Sequence, residues 1–205
     1  MLREIVKTSP ILSKKIRIGD IKADLGNLNF VNELDPLADA GGAQTSNNLN
    51  FAMQHQTQTQ WCWSAVSVST SLFYNSNSAW TQCTLANQQL GQTTCCQDGS
   101  TAACNRWWYL HYALTGVGNL DHWVNGTISF SGVQQQINST LPLSVRIEWA
   151  DGSGHFVVLD GYDSANGDVV SVKDPWYGPS TYVYDEFSSR YQGSGAWTHS
   201  YYTKA

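Results

Sequence analysis

The spacing of apolar residues changes at Pro142, and that change leaves few architectures open to the chain. Before it, Cys62, Ala65, Val66, Ser69, Leu72 and Phe73 recur from Trp61 onward at steps of three and four, the stripe of a helix that buries one face. Asn75-Ser-Asn-Ser ends that helix. Similar spacing predicts helices over residues 84–90, 105–114 and 132–138, the last capped by Ser131. After Pro142 the pattern shortens to β-rich runs over residues 143–149, 155–162, 168–174 and 180–184, separated by Gly, Asn and Asp turns. Helices first and strands later predict an α+β domain, its N-terminal helical half packed against a C-terminal antiparallel sheet.

A chain of 205 residues is long enough for one domain with a sizeable core, and 41% apolar against 13% charged residues excludes general disorder. The formal net charge is −5, and the basic run Lys14-Lys15-Ile16-Arg17 has no companion. A nucleic-acid partner is therefore not expected, since phosphates demand a basic stripe. No apolar run approaches a membrane span, and residues 1–10 hold no signal-peptide apolar block, so a soluble monomer is expected, with no membrane partner. Residues 1–50 differ from the rest: they hold more than half of the eleven Lys and Arg and end in a linker-like Gly/Ser/Asn stretch. They read as a leader, propeptide-like or linker segment ahead of a domain over 51–205. Gly41-Gly42 reads as a flexible hinge, with processing there as the alternative.

Three short segments carry chemistry. In Gln56-Thr-Gln-Thr-Gln-Trp-Cys62-Trp, a cysteine opens the first helix, where unpaired N–H groups and the helix dipole favour the nucleophilic thiolate. A cysteine on an apolar stripe is otherwise a packing residue. In Gly152-Ser-Gly154-His155-Phe-Val-Val, a histidine enters an apolar strand straight after a Gly-rich turn. In Lys173-Asp174-Pro-Trp176, an acid stands where the next strand ends, a position that alone signals only a turn.

Folding the chain back at Asp163-Ser-Ala-Asn-Gly-Asp168 joins the last two segments in a hairpin. A two-residue loop sets His155 opposite Asp174, and a four-residue loop makes them diagonal neighbours on one face. An odd-numbered loop separates them unless a bulge intervenes. On one face, the carboxylate fixes the imidazole tautomer while the other ring nitrogen takes the thiol proton.

These words, Gln-x5-Cys-Trp, Gly-His-Phe-Val and Asp-Pro-Trp, resemble the papain-like cysteine peptidases, in particular the compact bacterial forms that include secreted effector proteases. The resemblance runs from about Asn50 to the C-terminus. It implies a papain-like fold in which the central helix carries Cys62 and the sheet carries His155 and Asp174. It further implies that Gln56 donates to the oxyanion, that Trp176 shields the acid–histidine pair, and that Trp61, Trp63 and Gly154 support the cleft. The alternative for Trp176 is a core tryptophan. A protein or peptide substrate, no cofactor, no metal and a cognate inhibitor are the matching expectations. The departures are Asp at 174 where larger members have Asn, Trp61 before the nucleophile, and a shorter Cys-to-His interval.

Four cysteines remain. Joining the adjacent Cys95 and Cys96 strains the backbone, which leaves Cys83 bonded to one of them and Cys104 to the other. A structural zinc site is the alternative. Disulfides imply an oxidising destination, hence a chain secreted or delivered to another cell without a visible signal. The other histidines, His55, His111, His122 and His199, read as structural or surface residues, with His122 beside Asp121 the rival base. The expected activity is that of a cysteine endopeptidase. The alternatives are deamidation or transglutaminase-type acyl transfer on the same triad, and an inactive secreted binding module.

Overall fold

The computed structural model of the protein describes residues 44–205. The expected leader therefore lies, up to residue 43, outside the described residues, as does Gly41-Gly42. Helices α1 (Cys62–Tyr74), α2 (Gln82–Leu90) and α3 (Leu110–Val117) form the N-terminal half. Strands β3 (Leu143–Glu148), β4 (Gly154–Asp163), β5 (Val169–Asp174) and β6 (Gly178–Val183) follow as an antiparallel meander. β7 (Ala196–Thr203) lies against β3, and β2 (Leu120–Asn125) lies outside β7, giving the order β2-β7-β3-β4-β5-β6. The result is the expected α+β arrangement, helices packed on an antiparallel sheet. A short β1 (Ser46–Asn48), from the segment read as linker, pairs with the end of β4 that β3 leaves uncovered. Gly161 admits it, because a Cβ there would stand 1.9 Å from the Asn48 side chain.

Alternate residues of β4 serve two cores. Phe156 and Val158 pack with α1, α2 and α3, whereas Val157 and Leu159 pack with α4 (Phe130–Asn138) and α5 (Tyr184–Arg190) on the opposite face. This two-sided burial is why Phe156, Val157, Val158 and Leu159 run unbroken as apolar residues instead of alternating with polar ones. It also fixes register, since a slip of one residue would exchange the two cores.

Several expected bounds change for identifiable reasons. The first helix buries every residue from Cys62 to Ser71, not one face, so its hydroxyls need partners inside the protein. Ser64 donates to Gln82 O, Ser67 to Trp63 O and Thr70 to Val66 O, and Ser69 accepts from the Gln54 N–H. The third helix begins at Leu110 rather than at 105, because the Cys104 and Arg106 carbonyls accept from the indoles of Trp61 and Trp63. The fourth is capped by Ser129, not Ser131: its hydroxyl accepts from the Gly132 N–H at 3.1 Å. β2 escapes the sequence pattern because as an edge strand it is mostly exposed and shows little apolar alternation.

The disulfides are Cys83–Cys96 and Cys95–Cys104, one of the two pairings left open by the sequence. Cys62 is the free cysteine among the described residues.

Candidate active site

The hairpin reaches its expected result by an unexpected route. Asp163 pairs with Val169, so residues 164–168 make a five-residue loop, the odd number that ought to part His155 from Asp174. A β-bulge at Asp160 restores the match: Gly161 pairs with Ser171, but Leu159 already pairs with Val172. Asp160 is buried, accepts from Ser171 Oγ at 2.8 Å and faces Lys173 Nζ at 3.4 Å, which ties the extra residue to the neighbouring strand. With the bulge, His155 and Asp174 are diagonal neighbours on one face, and His155 Nε2 meets Asp174 Oδ1 at 2.9 Å.

Asp174 is surrounded by donors. The Trp176 and Tyr177 main-chain N–H groups donate to Oδ1 at 2.6 and 2.9 Å, and the buried Tyr191 hydroxyl donates to Oδ2 at 2.6 Å. Burial would raise its pKa, yet His155, the Tyr191 hydroxyl and the Tyr177 N–H hold the carboxyl below its ordinary value. Burial would likewise depress His155. The Asp174 hydrogen bond and the hydrogen bond and charge of Cys62 outweigh it and push His155 up to about 9. Since Nε2 faces Asp174, Nδ1 is the nitrogen left for Cys62. The arrangement can hold a protonated imidazole between carboxylate and sulfur at neutral pH.

Cys62 opens α1 with Trp61 as the preceding cap residue. The first hydrogen bonds of the helix run from the Ser64 and Ala65 N–H groups to Trp61 O, so the Cys62 N–H stands ahead of the ladder. Trp61 and Trp63 are buried, and their indole N–H groups donate to Cys104 O at 2.7 Å and Arg106 O at 3.0 Å. They brace the start of α1 against the disulfide-bearing segment.

A cavity of about 220 Å³ opens beside Cys62 and His155, with Gln56, Gly154 and Trp176 in its walls. Gln56 is buried, and its Nε2 donates to Gln58 O at 2.8 Å and Thr59 O at 3.0 Å, leaving Oε1 without a hydrogen-bond partner. Donation to an oxyanion therefore requires one of these main-chain bonds to be shared or exchanged. Its own N–H donates to Pro175 O at 2.9 Å, which fastens this wall to the Asp174 turn.

Trp176 is 44% exposed and stacks on His55 at 5.6 Å, so it is neither a core tryptophan nor the ring over the acid–histidine pair. Trp149 (6.5 Å) and Tyr177 (6.2 Å) flank His155 instead. No spacing or motif in the sequence marks these two residues or Tyr191. Trp176 keeps a share in the site through its main-chain N–H and the cleft wall. The rival His122 does pair with Asp121 at 2.7 Å, but on the exposed edge strand and stacked on Tyr202, away from Cys62. Among the described residues no group of three or more His, Cys, Asp or Glu could hold a metal ion, and no helix is long and apolar enough to cross a membrane.

Comparison with known proteins adds the family. No curated protein matches the chain. Among solved structures, it is similar to the Pseudomonas avirulence protein AvrPphB, at 12% identity over 76% of this chain and 98% of that one, with a TM-score of 0.35. The model of the Peptidase_C39 like family matches residues 48–204, a stretch that takes in Cys62, His155 and Asp174 with every helix named above, and the chain belongs to that family.

Proposed function

We propose that the protein is a cysteine endopeptidase in which Cys62 attacks a peptide carbonyl, His155 moves the proton and Asp174 orients His155. One observation carries the reading: His155 is held between a buried, fully hydrogen-bonded carboxylate and the sulfur at the start of α1. The Cys62 sulfur adds to the carbonyl carbon while the imidazolium supplies the proton that lets the amine leave. Water, deprotonated by the now neutral imidazole, then adds to the thioester and releases the acid. The Cys62 N–H and, after exchange of a main-chain bond, the Gln56 amide stabilise the tetrahedral oxyanion. The two disulfides support an oxidising, secreted or delivered destination. We also assign residues 51–205, together with β1 paired on β4, as the catalytic domain and the residues ahead of β1 as its leader.

The test is alkylation by iodoacetamide together with analysis of the products formed from an unfolded protein substrate. The wild type is expected to label at Cys62 and to generate new amino termini without releasing ammonia. Cys62→Ala is expected to lose both label and cleavage, and His155→Ala to label slowly at neutral pH. Ammonia release without new termini would replace hydrolysis by deamidation, and an inert Cys62 in folded protein would sink the enzyme reading.

A further inference from the structure

The cleft does not end at the nucleophile. Past Gly154 and Gln60 it widens into a groove of about 670 Å³ that shares Trp107, Trp108, Ser153 and Phe156 with the cavity at Cys62. Its floor is the helix-side face of the sheet. Phe156 on β4 lies opposite Arg146 on β3, Arg146 opposite His199 on β7, and β2 beyond contributes Trp123. From β4 to β2 the floor crosses three strand spacings, about 14 Å, the reach of about four extended residues. A single side chain does not fill such a space. A stretch of polypeptide whose scissile bond lies at Cys62 does.

The groove is aromatic and carries little net charge. Trp107 and Trp123 are 65% and 42% exposed at its rim, an unusual outlay of large apolar surface. Trp123 has two ring neighbours: His111 stacks on it at 5.4 Å with the planes 18° apart, and His199 packs against it at 5.9 Å. Arg146 is neutralised by Glu148 and also donates to Thr198 Oγ1 at 2.9 Å. Its guanidinium can pass close over residue 154 because that residue is glycine; a Cβ there would come within 2.9 Å of it. Burial lowers His111 from the ordinary imidazole value, and burial with the nearby Arg146 charge lowers His199, which favours the uncharged form of both rings. An acidic or basic side chain entering here would lose water without gaining an opposite charge. A planar uncharged one gains ring contacts.

From this we infer that the aromatic groove between Trp107 and Trp123 is a substrate-selecting site that takes an uncharged aromatic side chain of a polypeptide, up to about four residues from the scissile bond. The inference rests on the peptidase reading for its occupant, so the experiment separates binding from cleavage. Cys62→Ala protein is titrated calorimetrically with blocked octapeptides of Gly, Ser and Ala in which one Tyr is walked through the sequence, beside counterparts carrying Ala or Asp at that position. One position is expected at which Tyr binds about tenfold tighter than Ala or Asp, the worth of a good ring contact. Trp107→Ala and Trp123→Ala, at exposed positions that leave the core intact, are each expected to reduce that ratio. Equal binding of the Tyr, Ala and Asp peptides overturns the inference, as does a Tyr preference that survives both substitutions. If the preferred peptide binds but is not cut by protein with Cys62 intact, the groove stands and the peptidase reading falls.

Discussion

Asp174 has its acceptor capacity filled from three sides, and each donor acts differently on His155. The imidazole lies on Oδ1 and the Tyr191 hydroxyl on Oδ2, drawing charge away from it. Replacing the acid by Asp174→Asn removes the negative charge that raises His155, so the basic limb of kcat/KM is expected to move down from about 9 by about 1–3 pH units. Tyr191→Phe is expected to move the same limb upward, because the carboxylate then keeps its full charge for the imidazole. Two substitutions on one carboxylate thus shift a pH profile in opposite directions; a purely structural role for Tyr191 would change stability and leave the limb in place. Gln56 separates in another way. Gln56→Ala is expected to lower kcat by about 10²–10³-fold while Cys62 still alkylates, since alkylation forms no oxyanion. If alkylation slows equally, Gln56 braces the turn before the helix and does not serve the transition state. Cys62, His155 and Asp174 were legible because each sits at a recognisable end of an element. Tyr191 was not: it reaches Asp174 from beyond α5 through a turn closed by its bridge to Gly195, and no spacing in the sequence announces that contact.

At the scale of elements, the position of the Cys62 sulfur is set by what holds the start of α1. Trp61 and Trp63 grip the Cys104 and Arg106 carbonyls, Asn105 accepts from the Gln60 N–H at 2.9 Å, and Cys104 is itself tied to Cys95. Opening this disulfide by Cys95→Ser with Cys104→Ser is expected to cost about 2–4 kcal/mol in urea unfolding and to slow alkylation of Cys62. Opening Cys83–Cys96 is expected to lower stability and leave the alkylation rate unchanged, because that bridge fastens α2 rather than the braced segment. Equal slowing in both would mean that general loosening, not this brace, positions the thiol. The same contacts explain why the third helix was placed too early: apolar spacing is local, but the carbonyls lost to the two indoles are claimed by residues forty-three positions away in the chain. The hairpin gives the complementary case. Turn residues located it and the facing of His155 and Asp174 came out as expected, yet the loop length and the Asp160 bulge are set by packing of β4 between two cores, which no turn signal encodes.

For the whole molecule, the buried His155–Asp174 pair makes stability and activity follow different pH profiles. His155 is raised from 6.5 to about 9 on folding, so its contribution is complete below 6.5 and is lost as pH rises toward about 9. Asp174 is lowered from 3.8, so its contribution is complete above that value and is lost as pH falls through the folded one. Between these limits, from about 4 to 6.5, both are present in full, and thermal unfolding is expected to show its highest midpoint there. In the proposed mechanism cleavage requires a protonated His155, and it is expected to persist well above that window, failing near 9. An enzyme that loses stability from 6.5 upward while still fully active is the signature of this pair. Cys62→Ala checks the assignment without relying on turnover. The sulfur is one cause of the raised His155, so removing it is expected to bring the alkaline decline in midpoint to lower pH and to leave the acid side, governed by Asp174, where it was. If the alkaline decline does not move in Cys62→Ala, the sulfur and the imidazole are not coupled in the folded protein, and the nucleophile–base pairing fails with them.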